Sequence, residues 1–414
     1  MDYLIKAPNK LRTTIHLPAS KSISNRVLLL NALGASSMEI NNLAVCDDTN
    51  VMINALQTKQ QEIDIKAAGT AMRFLTAYIA GKQGNWIITG TERMRNRPVK
   101  ILVDALITLG AHIEYVEKEG FPPLRINGCT LEGGEVWLDG GVSSQYISAL
   151  LMAAPLMEQG LHLHLTGKVI SKPYIQMTIR LMNIFGVDVL VEGQTFTVHR
   201  QSYKPVPFTV ESDWSAASYW YEMVALSDNA EVSLQGLLAN SLQGDANIKH
   251  LFKKLGVDTR YTSDGVVISR TERNISVPFT YDLTDMPDMA QTLAVTCTML
   301  DIPFYFSGLQ SLKIKETDRL TALRTALHKL GFLLTERDGH ILQWEGERTE
   351  SAVSPVIHTY EDHRMAMAFA PVAIRDAAGI TIADSEVVSK SYPHFWDDLL
   401  SAGFQISDLD EFIN

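Results

Sequence analysis

One short pattern recurs along this chain and limits what it can fold into: an apolar-periodic helix that stops at a glycine, followed by alternating strand residues. The copies read A-L-I-T-L-G-A-H-I-E-Y around Gly110, L-M-N-I-F-G-V-D-V-L-V around Gly186, L-F-K-K-L-G-V-D-T-R-Y around Gly256, A-L-H-K-L-G-F-L-L-T around Gly331 and L-L-S-A-G-F-Q-I around Gly403. Their glycines stand 76, 70, 75 and 72 residues apart. Glycine suits the left-handed position that closes a helix, and the alternation after it suits a half-buried strand, so each copy predicts a helix packed on a small sheet. An earlier segment, M-I-N-A-L-Q-T-K-Q-Q-E-I-D-I at residues 52 to 65, begins like a sixth copy but lacks the glycine and soon reaches the next motif. It predicts a shortened first unit.

A chain of 414 residues exceeds what one hydrophobic core usually supports, so six units predict two domains of three. The pattern breaks at Y-K-P-V-P-F-T-V-E-S-D, residues 203 to 213, which marks a boundary; the cleft between domains is the default ligand site. A formal charge of −11 excludes nucleic acid as a natural partner, and any anion site must be local. Cys46, Cys129 and Cys297 lie far apart without C-x-x-C spacing, so neither a disulfide framework nor a zinc site is implied, and no His/Asp/Glu spacing implies another metal. The N-terminus has no basic region leading into a long apolar stretch, and no apolar run is long enough to span a bilayer. The expectation is a cytoplasmic protein with no membrane partner.

Against this acidic background several basic residues sit among capping and turn residues. P-A-S-K-S-I-S-N-R, Pro18 to Arg26, leads into an apolar helix; its serines and first-turn amides form either a plain cap or an anion cradle charged by Lys21 and Arg26. A-A-G-T-A-M-R-F places Gly69 before a helix, where a missing side chain lets a ligand approach the amides. T-G-T-E-R-M-R-N-R-P packs Arg93, Arg95 and Arg97 into one loop, which is equally consistent with plain solvation. G-V-S-S-Q-Y offers Ser143, Ser144 and Gln145 at a helix start, and K-V-I-S-K-P-Y repeats the arrangement at Ser171. In K-I-K-E-T-D-R, Lys315 and Arg319 are four apart and on a helix would share a face, either around an anion or within i,i+4 pairs with Glu316 and Asp318. Arg364 stands at the mouth of an almost wholly apolar helix, and Lys390 is flanked by serines.

Taken in order, S-K-S-I-S-N-R, A-G-T-A-M-R, R-N-R-P, V-S-S-Q-Y, S-K-P-Y, K-E-T-D-R and D-H-R-M-A-M resemble the signature segments of the 5-enolpyruvylshikimate-3-phosphate synthase family over the whole chain. The resemblance implies an α/β (α+β) fold with a two-domain inverse α/β barrel-like architecture of six βαβαββ-type repeats, three per domain, the first shortened. It implies a discontinuous domain of residues 1–19 and 212–414, a second domain of residues 20–211, and an active site in the interdomain cleft. The implied reaction transfers the enolpyruvyl group of phosphoenolpyruvate to the 5-hydroxyl of shikimate 3-phosphate, without cofactor or metal, in a monomer that glyphosate inhibits.

Carried over by position, Lys21, Ser22, Arg26, Ser143, Ser144, Gln145, Ser171, Asp288, Ser311 and Lys315 match the shikimate 3-phosphate ligands. Lys21, Gly69, Arg97, Gln145, Arg319, Arg364 and Lys390 match those of phosphoenolpyruvate. Asp288 matches the proton acceptor for the hydroxyl, Glu316 the group near C3, and Lys21 a compact charge and proton donor. Asp288 also suits a simple helix cap. Cations offset the repulsion between two multiply charged substrates, and planar arginine forks suit carboxylate and phosphate.

The sequence departs from the family at Ala67, where an Asn is usual, at Ser311, where an Asn lies near the shikimate phosphate, and at Phe74, where Pro is frequent. Two rival readings exist. The sister transferase acting on UDP-N-acetylglucosamine carries a reactive cysteine in the loop corresponding to Thr89–Pro98, and none stands there. A non-catalytic sugar-phosphate binder is disfavoured by intact Lys21, Asp288 and Glu316.

Overall fold

The computed structural model describes residues 1–35 and 38–409. The last five positions of the sequence-based domain 212–414 lie outside the described residues. The chain divides into two units, Met1–Ala19 with Glu211–Asn414, and Ser20–Val210.

The first unit carries three four-stranded sheets. In one, strand Phe279–Asp282 runs parallel to Phe304–Ser307 across helix Ala290–Met299; helix Arg319–Lys329 then leads into the antiparallel hairpin of Thr335–Arg337 and Ile341–Trp344. This is the βαβαββ unit that the family resemblance implies, and it contains the helix packed on a small sheet that the glycine pattern predicts. In the second sheet the leading strand is Leu11–His16, paired in parallel with Ala230–Gln235, so a segment from the start of the chain completes a sheet whose other strands follow some 200 residues later. In the third, Tyr3–Lys6 lies between Ile380–Ile382 and Gln405–Asp408.

The second unit has two four-stranded sheets and one pair, Ile40–Asn41 with Phe208–Thr209. That pair is the shortened repeat, and its cause is local. Helix Asp47–Gln57 ends at Thr58, whose φ of −65° and ψ of 144° send the chain straight on, and the next strand, Glu62–Asp64, already belongs to the neighbouring sheet. Where a repeat has its glycine, the backbone there takes a φ between 81° and 96°, which turns the chain back over the sheet.

Each unit's inner helices are apolar on nearly all sides. In the first, Trp214–Leu226 and Ala290–Met299 are almost wholly buried and pack on one another. A polar seam runs between them: the Ser218 and Thr292 hydroxyls are 3.3 Å apart, and Glu222, fully buried, is a neighbour of Thr296. Neither Glu222 carboxyl oxygen has a hydrogen-bond partner in good geometry among the described residues. Burial pushes its pKa well above the usual carboxylate range, only partly offset by Thr296. A carboxyl raised in this way contributes stability that is fully present below the unfolded-state pKa near 4.5 and is lost as pH rises through the folded-state value. Glu222→Met, which keeps the volume without the charge, is expected to raise the melting temperature more at pH 8 than at pH 5; thermal melts at both pH values check it, and equal shifts would contradict the assignment.

Candidate active site

Nearly all the basic motifs fall on one kind of structural position, the connection from the C-terminal end of a parallel strand to the N-terminus of the next helix. Strand Glu62–Asp64 leads to Gly69, Gly84–Thr89 to Arg97, Gly134–Asp139 to Ser143, and Leu161–Thr166 to Ser171. In the other unit, Phe279–Asp282 leads to Asp288, Phe304–Ser307 to Lys315 and Arg319, Val356–Ile357 to Arg364, and Ile380–Ile382 to Lys390. Strand C-termini of parallel pairs are where α/β folds bind ligands, and free helix amides there attract anions.

In the unit Ser20–Val210, Ser20 caps helix Lys21–Leu33 by accepting from the Ile23 amide. Ser24, a second capping candidate, is buried and accepts instead from the Ala44 amide at 3.0 Å. Lys21 opens the helix and donates to Asp48 at 2.9 Å, with both side chains less than one-fifth exposed. Arg26 is buried, and protein acceptors take its donors: Nε donates to Thr178 Oγ1 at 2.7 Å, Nη1 to the Ser22 carbonyl at 3.0 Å and Nη2 to Ser148 Oγ at 3.2 Å. Burial lowers its pKa to about 10.

Gly69 opens helix Gly69–Ala80 directly beneath Arg97; a Cβ there would stand 2.6 Å from Arg97 Nη1. Of the three loop arginines only Arg97 turns inward. Arg95 pairs with Glu117 at the surface and Arg93 is exposed, because residues 92–95 wind into a short helix capped by Thr91. Arg73 and Tyr146 hold the Arg97–Pro98 loop, donating to the Pro98 carbonyl at 3.3 and 2.6 Å. Ser143 caps helix Ser144–Ala153, and Gln145 donates to Thr70 Oγ1 at 3.1 Å, linking two helix starts. Ser171 precedes its helix in the left-handed region, φ 54°, and its side chain does not cap it. The capping reading that fits the other serine motifs fails at this one.

In the unit Met1–Ala19 with Glu211–Asn414, Asp288 is the hub. It receives Arg319 Nη1 at 2.7 Å, while Lys315 Nζ stands at 3.7 Å and Arg364 Nη2 at 3.6 Å. Burial alone would raise its pKa, but Lys315, Arg364 and Arg319 together outweigh burial and hold it far below the usual carboxylate range. Arg319, almost fully buried, also donates to Glu316 at 2.8 Å and, through Nε and Nη2, to Asp362 at 2.6 and 3.3 Å. Lys315 is not on the helix with Arg319. It is an extended residue after a short turn of 3-10 helix, and Asp318 caps the helix that Arg319 begins, so the two cations reach one carboxylate from different elements. Arg364 follows the capping Asp362 and also donates to the Asp288 carbonyl at 3.3 Å. Lys390 donates to the Glu361 carbonyl at 2.7 Å. The buried Ser311 hydroxyl has no partner among the described residues.

Sequence reasoning missed Asp362, which D-H-R-M-A-M contains, and Asp48, whose Lys21 contact crosses 27 residues. It also passed over Asp245. That carboxyl accepts from the Ser215 hydroxyl, and burial pushes its pKa up to about 6 beside Asp288 and Arg364. The Q-G-D segment preceding a helix was the available signal.

The chain matches the family model described as EPSP synthase (3-phosphoshikimate 1-carboxyvinyltransferase) over residues 5–64 and 55–399. It is 55% identical over 407 residues to a 3-phosphoshikimate 1-carboxyvinyltransferase of Bacteroides fragilis, covering 98% of this chain and 99% of that one. A Vibrio vulnificus enzyme of the same name is 37% identical over 421 residues, covering 95% and 96%. An EPSP synthase structure from Acinetobacter baumannii superposes with a TM-score of 0.77 at 20% identity, covering 98% of this chain and all of that one, which speaks for the fold. By sequence and fold together, the chain belongs to the EPSP synthase family of 3-phosphoshikimate 1-carboxyvinyltransferases.

Proposed function

We propose that this chain transfers the carboxyvinyl group of phosphoenolpyruvate to the 5-hydroxyl of shikimate 3-phosphate, with both cationic half-sites serving the same pair of substrates. The observation that carries the chemistry is Asp288, a mostly covered carboxylate ringed by Lys315, Arg319 and Arg364, with Glu316 on the same guanidinium. The hydroxyl oxygen bonds to C2 of phosphoenolpyruvate as its proton passes to Asp288, and C3 takes a proton from Lys21 or Glu316. The C2–O bond to phosphate then breaks, phosphate leaves, and C3 returns its proton to restore the double bond.

The cations that hold Asp288 low are also those that the anionic groups of the substrates would meet. When phosphoenolpyruvate engages Arg319 and Arg364 and shikimate 3-phosphate engages Lys315, the field of these cations on Asp288 is offset and its proton affinity rises, so the substrates themselves tune the base. Lys21, Ser22, Ser143, Ser144, Gln145, Ser171, Ser311 and Lys315, with Asp288, hold shikimate 3-phosphate, and Lys21, Gly69, Arg97, Gln145, Arg319, Arg364 and Lys390 hold phosphoenolpyruvate. Arg26 acts as a positioning residue, holding Ser22, Ser148 and Thr178. The reading includes the cytoplasmic, monomeric state that the family resemblance implies.

A coupled phosphate-release assay tests the reading: phosphate is expected only when both substrates are present. A protein that binds shikimate 3-phosphate yet releases none would favour a non-catalytic binder. Release driven instead by UDP-N-acetylglucosamine would favour the sister activity. Gly69→Ala puts a methyl group against the Arg97 guanidinium, and steady-state kinetics should show the KM for phosphoenolpyruvate rising about tenfold with kcat within a few-fold. A KM within twofold of the parent would remove Gly69 from the site.

A further inference from the structure

Helices Lys21–Leu33, Gly69–Ala80 and Ser144–Ala153 carry the anion-binding residues of one unit at their N-termini, and their other ends enclose a second feature. A cavity of about 210 Å³ opens where the three helices finish. Ala32, Ala77 and Ala153 contribute one small side chain from each helix, which leaves the space, and Leu156 and Met157 add apolar wall. At its rim is Lys82, in the turn after the second helix, with its ammonium 5.3 Å from the Tyr78 ring and 5.2 Å from the Trp86 ring. No carboxylate pairs with Lys82 among the described residues. A cation fixed by two ring faces beside an apolar hollow is arranged to receive a molecule with an apolar body and an anionic end.

Size narrows the class. A cavity of roughly 150 Å³ takes up one benzene ring, so about 210 Å³ suits a single ring with a short chain. We propose that this cavity binds a small aromatic carboxylate, with its ring among the three alanines and its carboxylate on Lys82, and that occupancy is felt at the anion-binding ends of the same helices. Those helices have 13, 12 and 10 residues, so the two ends are separated by roughly 15–20 Å of rigid helix. A ligand that wedges one end shifts the other as a body. The coupling rests on the carboxyvinyl-transfer reading; the binding does not.

Isothermal calorimetry on the full chain, titrated with 3-phenylpropanoate and with neutral 3-phenylpropan-1-ol, separates the two. Saturable carboxylate binding is expected, weakened about fivefold by Lys82→Met, the order of an exposed ion pair, while the alcohol binds equally to both proteins. Ala32→Phe, at the half-exposed lip of the cavity, should abolish both. No heat at millimolar probe, or carboxylate binding that survives both substitutions and yields to phosphoenolpyruvate, would overturn the site. In the parent, saturating probe should change the KM for shikimate 3-phosphate at least twofold, and in Lys82→Met, at the same probe concentration, by less. An unchanged KM in the parent would overturn the coupling even if the binding stands.

Discussion

Asp288→Asn is expected to lower kcat by about 10²- to 10⁴-fold while the KM for phosphoenolpyruvate stays level or falls. The two parts have separate causes. The amide cannot accept the hydroxyl proton, so the step that needs a base loses it. The same change removes one negative charge from between Lys315, Arg319 and Arg364, and those cations then attract the substrate's carboxylate and phosphate more strongly. A residue that merely caps a helix would give neither pattern. Steady-state kinetics with phosphoenolpyruvate varied at saturating shikimate 3-phosphate reads both parameters, and a kcat within tenfold of the parent would exclude Asp288 as the base. The variant should also lose acid sensitivity. A carboxylate held low in the folded state contributes stability present above its unfolded pKa near 3.8 and lost as pH falls through the folded value.

Arg319→Met is expected to be the most damaging single change to stability in its unit, at about 3–5 kcal/mol. Arg319 is the only cation that donates to Asp362 in side-chain hydrogen bonds among the described residues, and Asp362 is fully buried. Without the guanidinium, Asp362 is left as a desolvated charge without its cation, and Asp288 and Glu316 each lose a short ionic contact. At roughly 2–4 °C per kcal/mol for a unit of this size, the melting transition should fall by about 10 °C. Four of the six tryptophans, Trp214, Trp220, Trp344 and Trp396, lie in this unit, so their fluorescence follows it. A loss below about 1 kcal/mol at pH 8 would mean that Arg319 is not the counter-charge on which Asp362 depends.

Much of the site was legible because its markers are local. A serine before an apolar run, a glycine at a helix mouth and a lysine among turn residues each signal a helix start within a few residues, and helix starts are where the anion-binding groups sit. The five glycine-closed copies, and the sixth without its glycine, likewise carry the repeat architecture and its one shortened unit in neighbouring residues. What the sequence determined by itself was therefore the units, their number and the polarity of their helix ends.

Partnership across long separations was decided only in the tertiary structure. Arg93, Arg95 and Arg97 read alike in the chain, yet only Arg97 turns inward, because Gly69, 28 residues earlier, leaves the space for it. Lys315 and Arg319 look like helix neighbours but meet at Asp288 from different elements. Arg26 reads in the chain as an anion ligand, and its Nε and Nη2 also meet Thr178 and Ser148, more than 100 residues away. A spacing rule reports where a side chain starts. Which carboxylate, hydroxyl or ring it meets depends on sheets that close only when distant strands, such as Leu11–His16 and Ala230–Gln235, pair.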